Sequence, residues 1–144
     1  MQTFLPYPDF DRSARCLDRA RLGKQRVEVI QLLRAILVPG SGWANHPAAR
    51  MWREYPSWLA DYGLTVCREW RRRGYADSCN RKILLLCDNH GLRPFYTEDD
   101  DQPSWLGDPA FHTSHRSNLL RKSPHWYSQF GWTEPDNIPY VWPA

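Results

Sequence analysis

The stretch LDRARLGKQRVE, residues 17–28, sets four cations (Arg19, Arg21, Lys24, Arg26) and two carboxylates (Asp18, Glu28) around a glycine, then runs into the apolar VIQLLRAIL. On a helix turning ~100° per residue, Arg26 falls between Val29, Ile30 and Leu33, in the middle of the face that must turn inward. Asp18, Arg21, Gln25 and Glu28 line one flank of that face, and Lys24 points elsewhere. A buried guanidinium without partners is costly. Arg26 therefore either meets a carboxylate and pins two helices together, or opens onto a polar cleft. In such a cleft, Glu28 or Asp18 would stabilise positive charge while the cations hold an anion.

Three further clusters carry chemistry. GWANHPAARMW places Trp43, Asn45 and His46 at a helix N-terminus, where free backbone N–H groups favour an anion such as phosphate. FHTSHRSNLLRK brings His112, His115, Arg116 and Asn118 within two turns and ends on Lys122. PHWYSQFGW holds four aromatic residues, among them Trp126 and Tyr127, and reads either as core or as a base-stacking surface. A metal site built on His46, His112 and His115 is a competing reading. It lacks an H-E-x-x-H motif and a carboxylate at ligand spacing.

The elements that must position these groups read as helices. Asp9 or Asp11 offers an N-cap, and apolar positions continue at helical spacing through Leu37 until PGSG stops them. Gly23 is a possible kink within that stretch. A helix with Pro47 in its first turn follows, then a long one from Pro56 to Arg73 closed by Gly74, and a shorter one over NRKILLLCDNHG. Asp108 and Pro109 open the last. No run alternates with period two, so the expectation is a compact all-α fold spanning residues 1–144 as one domain, ending in an extended aromatic tail.

The chain has 144 residues, 42% of them hydrophobic and 24% charged, which suits one soluble core. No apolar run is long enough to cross a bilayer and no leader is evident, so a cytoplasmic protein with no membrane partner is expected, acting as a monomer. The four cysteines share no C-x-x-C spacing and read as buried thiols. Net charge is only +3, but cations cluster in residues 11–34 and 68–82, while EDDD at 98–101 offsets them. That clustering suits a polyanion.

The order of the segments, from MQTFLPY through RLGKQRVE, GWANHP and RRRGYADS to SHRSNLLRKSPHWYSQFGW, resembles the endonuclease V-like pyrimidine-dimer DNA glycosylases. It is most similar to a bacterial branch that shares MQTFLPY, RLGKQRVE, NHPA and SHRSNLLRK. The resemblance implies a helical fold, double-stranded DNA as partner and a reaction with no cofactor or metal. An N-terminal amine attacks the sugar C1′ of a damaged nucleotide, an imine forms, the base leaves and β-elimination nicks the strand. α-Amines as a class ionise near ~7.7–8.0, against ~10.4 for lysine, which leaves a useful neutral fraction. Gln2 is too large for removal of the initiator, so the amine belongs to Met1.

The family's glutamate precedes an arginine by a few residues. Aligning that arginine on Arg26 leaves Leu22 and Gly23 at the Arg-Glu pair. The resemblance then implies Met1 as nucleophile; no carboxylate matches the family's glutamate, so either Glu28 or Asp18 has taken over its role or the branch does not excise bases. With the basic and aromatic clusters above, the expected DNA contacts are Gln2, Arg21, Lys24, Gln25, Arg26, Asn45, His46, His112, His115, Arg116, Asn118, Lys122, Trp126 and Tyr127, of which Arg26 is the position that matches the family's arginine. The alternatives are a DNA-binding protein that has lost catalysis and a histidine-based metal hydrolase.

Overall fold

A computed structural model describes residues 1–143, and among them there are helices, turns and extended segments but no strand. The chain is all-α, as its punctuation indicates. Helix α1 (Phe10–Cys16) starts at Asp9, whose carboxylate accepts from the Arg12 amide. Helix α2 (Arg19–Leu37) follows after a break that the periodicity does not show. Leu17 and Asp18 are extended, with ψ of 138° and 160°. The cause is tertiary, because the Tyr127 hydroxyl accepts from the Asp18 amide at 3.1 Å and donates to the Asp18 carboxylate.

Helix α2 runs through Gly23 without interruption, so that glycine marks no kink. It serves close packing instead, since a Cβ at this position would lie 3.0 Å from the Trp70 ring. Helices α3 (Pro47–Trp52), α4 (Pro56–Arg72), α5 (Cys79–Asn89) and α6 (Pro109–Lys122) follow, three of them with proline at the first position, and α4 and α5 end just before Gly74 and Gly91. Helix α2 packs on α4 and α5, burying Leu22, Val29 and Leu33 against Leu59, Tyr62, Val66 and Ile83. The approach is close. A Cβ on Gly63 of α4 would come within 2.5 Å of Val29 Cγ1.

The C-terminal tail is not wholly extended. A short helix, α7 (Pro124–Tyr127), and a 3₁₀ turn (Ser128–Phe130) come first. The aromatic run is packed inward. Tyr127 stacks on Trp132 at 5.6 Å and 10°, and the Trp126 indole N–H donates to the Cys16 carbonyl.

Helix α6 explains how both ends of the chain are fixed. Its buried polar face holds the tail through Ser114 Oγ, which accepts from the Val141 amide, and Ser117 Oγ, which accepts from the Ile138 amide. Asn118 Nδ2 donates to the Ile138 carbonyl. One turn away, the same face holds the N-terminal segment. His112 Nδ1–H donates to the Leu5 carbonyl at 2.7 Å, and His115 Nδ1 accepts from the Leu5 amide at 2.9 Å.

Candidate active-site cleft

Residues 1–5 are extended, yet each backbone N–H from Gln2 to Leu5 donates to a side chain. Gln2 donates to Glu28 Oε2 (3.3 Å), Thr3 to Gln2 Oε1, Phe4 to Gln25 Oε1, and Leu5 to His115. Gln25 is the hub of this arrangement. Its Nε2 donates to the Gln2 carbonyl (2.7 Å) and to Glu28 Oε2 (3.0 Å), while its Oε1 lies 2.8 Å from the Tyr62 hydroxyl. A segment with no strand partner thus satisfies its amides on side chains of α2, of α6 and of its own Gln2.

Met1 and Gln2 open onto a cleft of about 560 Å³, lined on one side by Arg21, Lys24, Gln25 and Glu28 of α2. His46, Lys122 at the end of α6, and Tyr140 and Trp142 of the tail also line it, with the Trp142 ring 6.1 Å from His46 and 5.8 Å from Tyr140. Volumes of roughly 300–1,000 Å³ are usual for small-ligand sites.

Glu28 is 6% exposed. Its Oε2 accepts the Gln2 and Gln25 hydrogen bonds, and its Oε1 lies 3.5 Å from Lys24 Nζ. His46 caps α3, its Nδ1 accepting from the Ala48 amide, which leaves its proton on Nε2. Desolvation and then the positive charge of the N-terminal amine push His46 below its ordinary value. Lys122 is likewise pushed down by desolvation and by Arg21, Arg121 and Lys24, a measure of how closely cations gather here. The Gln2 Nε2 is buried without a hydrogen-bond partner.

The structure therefore brings together Met1, Gln2, Arg21, Lys24, Gln25, Glu28, His46 and Lys122, and separates the other expected residues. Arg26 does not reach the cleft mouth. Its Nη1 donates to Asp77 Oδ1 at 2.6 Å, and its guanidinium lies 4.4 Å from the Trp70 ring centre. The Asp77 side chain is shielded from solvent, although the residue as a whole is half-buried. Burial would raise its pKa, but Arg26 and the amides of Asn80 and Cys79 hold it below the usual carboxylate range. Of the two readings of Arg26, the geometry is that of a helix-pinning ion pair. Asp18 is occupied by Tyr127 and Arg21 and does not line the cleft.

His112 and His115 are buried and turned to Leu5. Burial, with the neighbouring His112, pushes His115 down to about 3, and His112 is lowered too. Arg116 donates to Glu134, to the Pro6 carbonyl and to Thr113, so it ties the two chain ends to α6. Asn118 is buried against the tail, Trp126 and Tyr127 are packed as described, and Asn45 is exposed outside the cleft. Among the described residues no three metal-ligating side chains come together. The cations of residues 68–82 are largely paired, with Arg72 and Arg73 on Glu69 and Arg71 on Asp77.

Sequence reasoning missed Tyr140 and Trp142. Their only signal is two aromatic residues two apart in an extended segment.

A family model described as pyrimidine dimer DNA glycosylase matches residues 1–83, more than half of the chain. The match includes Met1, Glu28 and His46 but stops before α6 and the tail. No curated protein and no solved structure matches the chain. No helix among the described residues is long and apolar enough to cross a membrane.

Proposed function

The chain belongs to the pyrimidine dimer DNA glycosylase family, and from that premise we propose that the cleft at Met1 excises a damaged pyrimidine base from duplex DNA through an imine on the N-terminal amine. The observation that carries this reading is a terminal amine, a buried carboxylate and three cations lining one cleft.

Arg21, Lys24 and Lys122 bind the phosphates on either side of an extruded nucleotide. The neutral Met1 nitrogen gives its lone pair to C1′ while the C1′–base bond breaks. The base leaves with the electron pair of the broken C1′–base bond and takes a proton, and the attacking nitrogen loses one. Ring opening returns a proton to O4′ and leaves a C1′=N imine. Glu28 faces the positive charge that develops at C1′ and on the imine. Its orientation is set in advance by Gln2 and Gln25, so little reorganisation is needed. Removal of a C2′ proton then forms the C2′=C3′ bond and expels the 3′ phosphate, which is the lyase step. Asp18 is not part of this proposal, because Tyr127 and Arg21 hold it elsewhere.

Borohydride reduces an imine to a stable amine link and so tests the reading directly. A covalent adduct is expected on duplexes carrying a damaged pyrimidine or an abasic site, and none on undamaged duplex. Tight binding of damaged duplex with neither base release nor adduct would leave a DNA-binding protein without catalysis.

A further inference from the structure

We propose that the acidic surface around Trp58 and Tyr96 docks a basic peptide segment of a protein partner. An arginine of that segment sits against the Tyr96 ring and the Asp61 carboxylate, and one of its peptide carbonyls accepts from the Trp58 indole N–H. The proposal goes beyond the glycosylase reading, since none of these residues lines the Met1 cleft.

Trp58 stands in the first turn of α4, and the Tyr96 ring lies flat on it at 3.7 Å and 1°. Phe10 of α1 meets both rings edge-on, at 6.3 Å and 6.1 Å, and so braces the stack. Tyr96 remains 40% exposed. Three hollows share Trp58 in their lining. Asp9, Asp11 and Asp61 line one of about 190 Å³, Glu98 and Asp100 line a second of about 380 Å³, and Glu54 and Asp101 line the third. Arg68 is the one cation in the three linings.

Two observations point to a ligand. Trp58 is 7% exposed, and its buried indole N–H has no acceptor. Buried donors in folded proteins almost always have one, because leaving them open is costly. Asp61, half-buried beside the stack, accepts from the Tyr96 amide at 3.3 Å and from the Thr65 hydroxyl, with no ion-pair partner among the described residues. Burial raises its pKa even with Arg68 nearby, so the hollow is short of positive charge. Arg68 itself meets Asp11 at 3.5 Å, with both side chains exposed.

The carboxylates repel DNA. A metal ion or a polyamine supplies the missing charge but offers the Trp58 N–H no acceptor. A basic peptide offers both, a cation on its side chain and a carbonyl on its backbone. Arginine suits the site better than lysine, because a planar guanidinium stacks on an aromatic face and also binds a carboxylate through its fork.

The test uses a short end-capped peptide of alternating arginine and glycine, with spermine and the corresponding glutamate–glycine peptide as comparators, at physiological salt. Calorimetry gives affinities, and NMR follows the Trp58 indole N–H, whose resonance is identified by its loss in Trp58→Phe. The arginine peptide should bind and move that resonance downfield, while spermine and the glutamate peptide leave it in place. Asp61→Asn and Tyr96→Leu should each weaken peptide binding about tenfold. Circular dichroism melting identifies a variant that unfolds, and Asp61→Asn, which keeps the side-chain shape, then decides by its affinity. No binding, an unmoved indole resonance, an equal shift with spermine, or unchanged affinity in Asp61→Asn overturns the proposal.

Discussion

The amide of Gln2 lies 3.3 Å from Glu28 Oε2, so the carboxylate of α2 is bonded to the residue next to the terminal amine. This contact ties the position of Met1 to that of Glu28. Glu28→Gln keeps an oxygen to accept from Gln2 but removes the charge. Turnover should fall by about 10²-fold or more while DNA affinity changes little, because the charge acts mainly in the transition state. Single-turnover base release on a damaged duplex, with binding measured alongside, checks it. A loss confined to affinity would assign Glu28 a binding role instead.

Residues added before Met1 convert the amine into an amide, which cannot form an imine. The extended protein should bind damaged duplex as the native one does and give no borohydride adduct. Equal trapping by both would remove Met1 as the nucleophile and point to Lys24 or Lys122, the other amines lining the cleft.

The cations fall into two groups with opposite expectations. Lys24→Ala and Lys122→Ala should weaken duplex binding and reduce the slope of log affinity against log salt by about one each. Arg26→Ala and Arg116→Ala should leave that slope unchanged and lower stability. For Arg26 the loss is about 1–3 kcal/mol, since Asp77 keeps Arg71 and two backbone amides after the guanidinium is gone. Urea unfolding and a salt titration of binding separate the groups. A reduced salt slope for Arg26→Ala would restore it to the DNA interface.

Acid should loosen the N-terminal segment. His115 in the folded protein ionises at about 3, while an unfolded histidine does so near ~6.5. The two states bind protons equally above the higher value, so stability is complete there. Between the two values only the unfolded chain takes the proton, and stability falls by up to about 1.4 kcal/mol per pH unit. His112, also lowered, acts in the same direction. Urea midpoints should therefore drop from pH 7 to pH 4. His115→Asn, whose Oδ1 can accept from Leu5, should flatten the profile. A wild-type midpoint independent of pH in this range would contradict the clamp.

Much of the helical outline is legible because its signals are local. Asp9, Pro47, Pro56 and Asp108 start helices where their own chemistry requires, and Gly74 and Gly91, at φ of 95° and 63°, stand just beyond the ends of α4 and α5. The flank of α2 that carries Gln25 and Glu28 is equally visible. What the chain does not announce depends on distant partners. Arg26 finds Asp77 51 residues away, and the break at Leu17 and Asp18 depends on Tyr127, 109 residues on. The polar face of α6 resembles a nucleic-acid surface because histidine, serine and asparagine donate to phosphates and to backbone alike. Its actual partners are two extended segments whose composition shows no period.

The four consecutive amides from Gln2 to Leu5, each bonded to a side chain, have a kinetic meaning for whatever group stands at position 1. The loss of chain freedom is taken up when the protein folds and does not recur in each catalytic encounter. Only rotations within Met1 remain. Well-oriented intramolecular reactants behave as though present at local concentrations of about 10⁵ M or more. An amine at the end of a frayed terminus would forfeit most of that advantage. The hydrogen bonds along residues 2–5 thus hold what is usually the most mobile position in a polypeptide, and under the proposed mechanism they would make it a stationary reactant.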